Sequence, residues 1–151
     1  MRIHQLALLA VFVAVPSSGD VWSRAVTIEP RGLMTDIVQA PDGNALIVRQ
    51  ALGGPCVTRV LPTTAETNCY GPPNENNGGR MVLAADGYFV YGSNYAHEQR
   101  VESGFVFRVA ANGDLKWARR YGLPTHVNFN GADVTNDGGL VIAGSVGRIE
   151  T

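Results

Sequence analysis

Three apolar runs punctuate the chain: ALIV (45–48), YFVY (88–91) and LVIA (140–143). Each follows an Asp-Gly pair, formed by Asp42 and Gly43, by Asp86 and Gly87, or by Asp137 and Gly138. Each pair is preceded by a mixed run: DIVQA (36–40), RMVLA (80–84) or GADVT (131–135). Asp-Gly is a strong hairpin signal, because glycine tolerates positive φ and aspartate bonds its own backbone. The pattern therefore predicts, three times over, a half-polar strand, a turn and a nearly all-apolar strand. A continuous apolar run suits a strand covered on both faces.

The hairpins belong to a longer repeat. At a shift of 95, Trp22 falls on Trp117, Arg24 on Arg119, Asp42 on Asp137, Gly43 on Gly138 and Ile47 on Ile142. At a shift of 51, Tyr70 falls on Tyr121, Gly71 on Gly122, Pro73 on Pro124 and Asp86 on Asp137. CVTRV (56–60) and FVFRV (105–109) match at a shift of 49, which places Arg59 on Arg108. These runs supply a third strand. A turn at 62–64 or 111–114 follows, and then a fourth strand that carries the tryptophan in LKWARRYG (115–122) and VWSRAV (21–26).

Four short antiparallel strands in about 45 residues make one propeller blade. A blade cannot bury both faces alone, so stacking against neighbours forms the core, with the outer-strand tryptophan between blades. The expected organisation is an all-β, partial β-propeller of four-stranded antiparallel blades. It comprises a partial strand at 21–26, a blade at 36–70, a blade at 80–122 and an incomplete blade at 131–151. Closed propellers hold about four to eight blades. The expectation is therefore a fragment of a longer closed propeller, with self-association as the alternative route to closure.

The units W-x-R-x-Y-G, A-D-V-x-x-x-D-G-G-L-V-I-A-G and G-F-V-F-R-V-x-A-N-G-D-L-x-W resemble bacterial secreted β-propeller repeats. The resemblance covers 21–145; it is most specific at 105–145 and weakest at 50–79, where Asn68 replaces the tryptophan. It implies an extracytoplasmic and commonly non-enzymatic protein, and it supplies no catalytic motif.

The N-terminus changes the compartment rather than the fold. Arg2, the ten apolar residues 6–15 and the small-residue exit at 16–19 form the tripartite pattern of a secretory signal. Residues 1–19 are thus expected to be a cleaved signal peptide and 20–151 the repeat region; a buried N-terminal strand or helix is the alternative. Ten apolar residues are short of the roughly 20 that a permanent membrane span requires. After cleavage no permanent span is expected, and the location is periplasmic or extracellular. In an exported chain the two cysteines, Cys56 and Cys69, are a disulfide candidate, since the strands that hold them approach around 62–64. Without residues 1–19 the chain has 11 basic and 13 acidic residues, which excludes the strong basic field of a nucleic-acid binder.

Chemistry is sparse. Asp42, Asp86 and Asp137 recur at equivalent turns and read as turn residues rather than catalytic acids. His97 and His126 fall in loops without metal-ligand spacing, and no phosphate loop, nucleophile elbow or calcium-loop pattern is present. No catalytic, cofactor-binding or metal-binding residue is expected, and no cofactor. Function in repeat proteins concentrates where copies differ. That places candidate binding loops at 94–103 and 72–79, with Asn94, Tyr95, His97, Glu98, Arg100, Asn74 and Glu75 as their polar surface. The expected role is an exported, non-enzymatic binding or scaffold module with a protein or carbohydrate ligand. Two alternatives stand beside it. ANGDLKW (111–117) has some likeness to a quinoprotein-type turn, though residues 62–69 lack its glycine and tryptophan. Tyr88, Tyr91, Tyr95 and Phe129 could stack on sugars in a carbohydrate-binding propeller.

Overall fold

The computed structural model describes residues 9–14, 21–26, 33–51, 54–71, 77–96, 101–122 and 126–147. All regular structure among them is β. The strands are β1 Leu9–Ala14, β2 Val21–Val26, β3 Leu33–Gln39, β4 Ala45–Ala51, β5 Gly54–Val60, β6 Ala65–Cys69, β7 Asn77–Ala84, β8 Gly87–Ala96, β9 Val101–Ala110, β10 Leu115–Tyr121, β11 His126–Val134 and β12 Leu140–Gly147. Two four-stranded antiparallel meanders, β3-β4-β5-β6 and β7-β8-β9-β10, are flanked in sequence by two hairpins, β1-β2 and β11-β12.

The meanders stack face to face. Leu46, Val48 and Val57 of the first meet Tyr88, Val90, Phe105 and Phe107 of the second in one apolar core. Alternation along each strand sends the next residues to the other face. Phe89, Tyr91 and Val106 accordingly join a second core with Phe129, Val134, Leu140 and Ile142 of the β11-β12 hairpin. Both faces of β4 are covered, since Ile47 and Arg49 are as buried as Leu46 and Val48. The apolar run 45–48 required this.

Three turns share one backbone geometry. Gly43, Gly113 and Gly138 adopt φ of 83°, 91° and 80°, a left-handed conformation that glycine reaches without a Cβ clash. Each donates its N–H three residues back, to Ala40, Ala110 or Thr135, at 2.9 Å. In each, the residue before the glycine accepts from the N–H two positions on: Asp42 from Asn44, Asn112 from Asp114, Asp137 from Gly139. The turn at Asp86 differs. Ala84 pairs directly with Gly87, leaving Ala85 and Asp86 as a two-residue connection.

Strands extend further than the apolar pattern predicts, always away from these turns. Asn77, Gly78 and Gly79 pair with Asn94, Ser93 and Gly92, and Tyr95 and Ala96 pair with Glu102 and Val101. Ladder pairing uses backbone groups, so polar and glycine positions continue it once register is set by the apolar half. At the other end of the chain, β1 lies on β2 with Val13 opposite Trp22, Phe12 opposite Ser23 and Val11 opposite Arg24. Shifted by 95, these are the pairs Arg108–Trp117, Phe107–Ala118 and Val106–Arg119 of β9 and β10. The apolar N-terminal segment thus occupies the register of a third strand.

Candidate functional site

The first strands of three successive units, β3, β7 and β11, lie side by side, and their ends distal to the Asp-Gly turns enclose a polar groove. Thr35, Arg80, Ser93, Asn128, Phe129 and Asn130 line it, in a volume of about 380 Å³. Thr35, Gly79 and Asn130 each stand seven residues before their turn aspartate, so the repeat brings equivalent positions together.

The groove is internally cross-braced. Thr35 Oγ1 donates to Gly79 O at 2.5 Å, tying β3 to β7. Asp36 adds a second tie, its Oδ2 accepting the Met81 N–H at 2.8 Å. Ser93 Oγ donates to Asn128 Oδ1 at 2.8 Å and accepts the Phe129 N–H at 3.2 Å, joining β8 to β11. Arg80 Nη1 donates to Asn130 O at 3.0 Å from an exposed side chain. The ring of Phe129 is half-buried and meets Tyr121 edge to face at 5.5 Å. The serine hydroxyl is held by an amide and a backbone N–H, not by a general base. The arrangement therefore orients hydrogen-bonding groups; among the described residues it presents no nucleophile–base pair.

A second cleft opens at the turn end, between the two meanders, with about 230 Å³ lined by Asp42, Leu46, Arg59, Leu83 and Tyr88 among others. Its polar groups are already engaged with protein. Arg59 forms an ion pair with Asp42 and donates Nη1 to Ala111 O of the neighbouring meander at 3.2 Å. Tyr70 and Tyr88 share a hydroxyl–hydroxyl bond at 3.2 Å, and Tyr70 also donates to Gly113 O at 2.8 Å. Burial pushes both phenols up from their ordinary value; for Tyr70 the bond to Tyr88 adds to the rise, whereas Tyr88 is partly offset by the same bond. This cleft is a packing seam.

The turn aspartates behave as structural groups. Asp86 bonds Lys116 at 2.5 Å and pairs with Arg108; the Lys116 bond first, and then the Arg108 charge, hold its carboxyl below the usual range. Asp137 is lowered by the Thr135 hydroxyl and by the Gly139 N–H. Among the described residues, no three His, Cys, Asp or Glu side chains converge as a metal site would require.

Of the predicted site residues, Cys56 and Cys69 are directly opposite in the β5–β6 register and form a disulfide. Asn94 and Tyr95 lie within β8 rather than in a loop, and Asn94 is buried. Asn74, Glu75, His97, Glu98 and Arg100 lie outside the described residues. His126 opens β11 instead of lying in a loop, and its Nδ1 accepts the Glu102 N–H at 3.0 Å. Of the aromatic residues considered for sugar stacking, Tyr88 and Tyr91 are buried in the two cores, whereas Phe129 lines the groove. Sequence reasoning missed Thr35, Arg80, Ser93, Asn128 and Asn130. Their common signal is a polar residue inside a strand, six to nine positions before a turn aspartate or just after an apolar second strand.

No protein-family model matches this chain, and no curated protein matches it.

Proposed function

We propose that this chain is an exported, non-enzymatic β-propeller repeat module that binds a protein or carbohydrate ligand in the groove across β3, β7 and β11. The observation that carries the reading is the groove itself: three successive units contribute their first strands to one surface of fixed hydrogen-bonding groups. Sites of this volume fall within the roughly 300–1,000 Å³ common for ligands.

Radial stacking is supported by how equivalent positions are covered. Leu46 and Phe89, each facing the next unit, are 5% and 3% exposed, whereas Val141 at the same place in the third unit is 57% exposed. Tyr70 is buried beneath the following meander's turn, and its counterpart Tyr121 stays 40% exposed. A further blade against β11-β12 accounts for both differences. The Cys56–Cys69 disulfide favours an oxidising compartment, periplasmic or extracellular.

Two measurements test this. Projection imaging of the protein as its host produces it should show a ring of radially arranged sheets; an open, linear stack would reject the propeller. Screening soluble glycans and peptides by amide chemical shifts should perturb residues 79–80, 92–93 and 128–130 together. Perturbation confined to the turn-end seam would reject the groove as the binding site.

A further inference from the structure

We infer that a second copy of this chain completes the two half-blades, so that two copies close head to tail into a ring of six blades. This rests on the radial-stacking reading of the chain and names the partner that closes it; the groove plays no part. It requires residues 9–14 to stay on the mature chain in place of a cleaved leader.

The two hairpins are opposite halves of one unit. β11 and β12 hold the register of first and second strands: at a shift of 95, Ala132 opposite Ile142 repeats Ile37 opposite Ile47. β1 and β2 hold the register of a third and a fourth strand, as β9 and β10 do. Each hairpin is a sheet of two strands, with no partner on the outer side of β12 among the described residues. The second meander shows how such halves join. On β8, Phe89, Val90 and Tyr91 stand opposite Arg108, Phe107 and Val106 of β9. The same register sets Val141, Ile142 and Ala143 of one copy against Val13, Phe12 and Val11 of the other. A chain that joined its own hairpins would close after three blades, below the roughly four to eight of closed propellers. Two copies supply six.

The sheet faces at the two ends of the chain match independently of the hairpin registers. Inside the chain, Leu46 and Val48 of the first meander share a core with Met81 of the second, and none of the three exceeds 6% exposure. Val141 and Ala143 are the counterparts of Leu46 and Val48 at a shift of 95, and both are exposed, Val141 by 57%. Ile37, opposite Ile47 as Met81 is opposite Val90, is 54% exposed, with Met34 on the same strand at 43%. In the third unit the equivalents of Met34 and Ile37 are Phe129 and Ala132, which pack on the preceding meander. Ile37 and Met34 thus face a preceding unit, and Val141 and Ala143 face a following one. One apolar patch is the partner of the other, and a head-to-tail neighbour brings them together. The rotation closes after two copies, which leaves two equivalent joints and no open edge at either hairpin.

The test uses the protein as its host produces it. Native mass measurement should give twice the chain mass with residues 9–14 present, and projection imaging should show a six-bladed ring. In a mixture of isotope-labelled and unlabelled copies, filtered amide contacts should link 141–143 of one copy to 11–13 of the other. Ile37→Asp and Val141→Asp lie on opposite sides of the joint. Each should raise the dimer dissociation constant about tenfold or more by placing a charge in an apolar contact. Both positions are exposed in the single chain, so circular dichroism should show unchanged β content. Should a variant lose that content, the filtered contacts in the unaltered protein decide. A monomer, a mature chain without residues 9–14, missing cross-copy contacts, or a dimer indifferent to either substitution overturns the inference. If the monomer is itself a ring, radial stacking stands and only the second copy fails. An open filament of copies rejects both.

Discussion

Arg108 on β9 pairs with Asp86 in the turn between β7 and β8, and is separated from it in the sheet only by β8. Arg59 on β5 makes the same reach over β4 to Asp42. The match of Arg59 with Arg108 in the sequence repeat is therefore a repeated clasp between a third strand and a first turn. The two copies are unequal in setting. Arg108 is nearly buried, with its guanidinium carbon 4.4 Å from the centre of the Phe89 ring. Arg59 is one-third exposed and also spans to Ala111 of the next meander.

That inequality sets an order for arginine substitutions. Arg108→Ala removes a packed stem and a cation–π contact, at a cost of about 2 kcal/mol. Arg59→Ala removes a screened ion pair and one hydrogen bond, at about 1 kcal/mol. Arg108→Met should recover part of the first loss by refilling the space over Phe89. Urea unfolding at neutral pH measures all three, and a larger loss for Arg59→Ala would contradict the assignment.

High pH should attack the seam between the meanders. Tyr70 and Tyr88 have folded-state pKa values raised by burial above the ordinary value of about 10. The folded state holds these protons more tightly than the unfolded state does. The stabilisation is therefore complete below pH 10 and is lost as pH rises above it toward the folded values. Absorbance of phenolate during an alkaline titration should show Tyr70 and Tyr88 ionising only as the fold opens. Ionisation of Tyr70 and Tyr88, tracked against Tyr70→Phe and Tyr88→Phe variants, with secondary structure intact would count against the buried pair.

The disulfide closes a short loop, Cys56 and Cys69 being 13 positions apart. Chain-entropy arithmetic for a loop of that size gives about 3 kcal/mol. Replacing both cysteines with serine should lower stability by up to that amount while leaving the β content unchanged, because β5 and β6 retain their ladder. Intact-mass measurement without reductant should find no free thiol in the protein as its host produces it. Two free thiols in material trapped at harvest would remove the bond from the folded state.

The hairpins, the apolar second strands and the unit length were legible because they rest on local chemistry. Asp42 and Asp137 announce a turn in any context, since the following glycine and the next N–H complete it. Asp86 looked identical and forms a tighter turn, because pairing of Ala84 with Gly87 leaves no place for the extra residue. The groove was not legible. Arg80 and Asn130 are 50 positions apart, and only stacking of β7 beside β11 brings them together. Loop variability pointed to 72–79 and 94–103, whereas the residues that line the groove are strand residues whose partners come from other units. The N-terminal segment carries both signals: its composition reads as a leader, and its register on β2 is that of β9 on β10.

The second core leaves no room for a side chain at Gly104. A Cβ there would stand 2.5 Å from Cε2 of Phe129 and 2.7 Å from its Cζ, far inside contact distance. Gly104→Ala must therefore displace the Phe129 ring. Overpacking of this kind costs about 1–3 kcal/mol. The ring would also lose its position beside Tyr121. Combining Gly104→Ala with Phe129→Leu should cost less than the sum of the two single changes, because the smaller side chain relieves the clash. Urea unfolding of the four proteins in that cycle gives the coupling directly. Strict additivity would mean that Phe129 does not rest on Gly104.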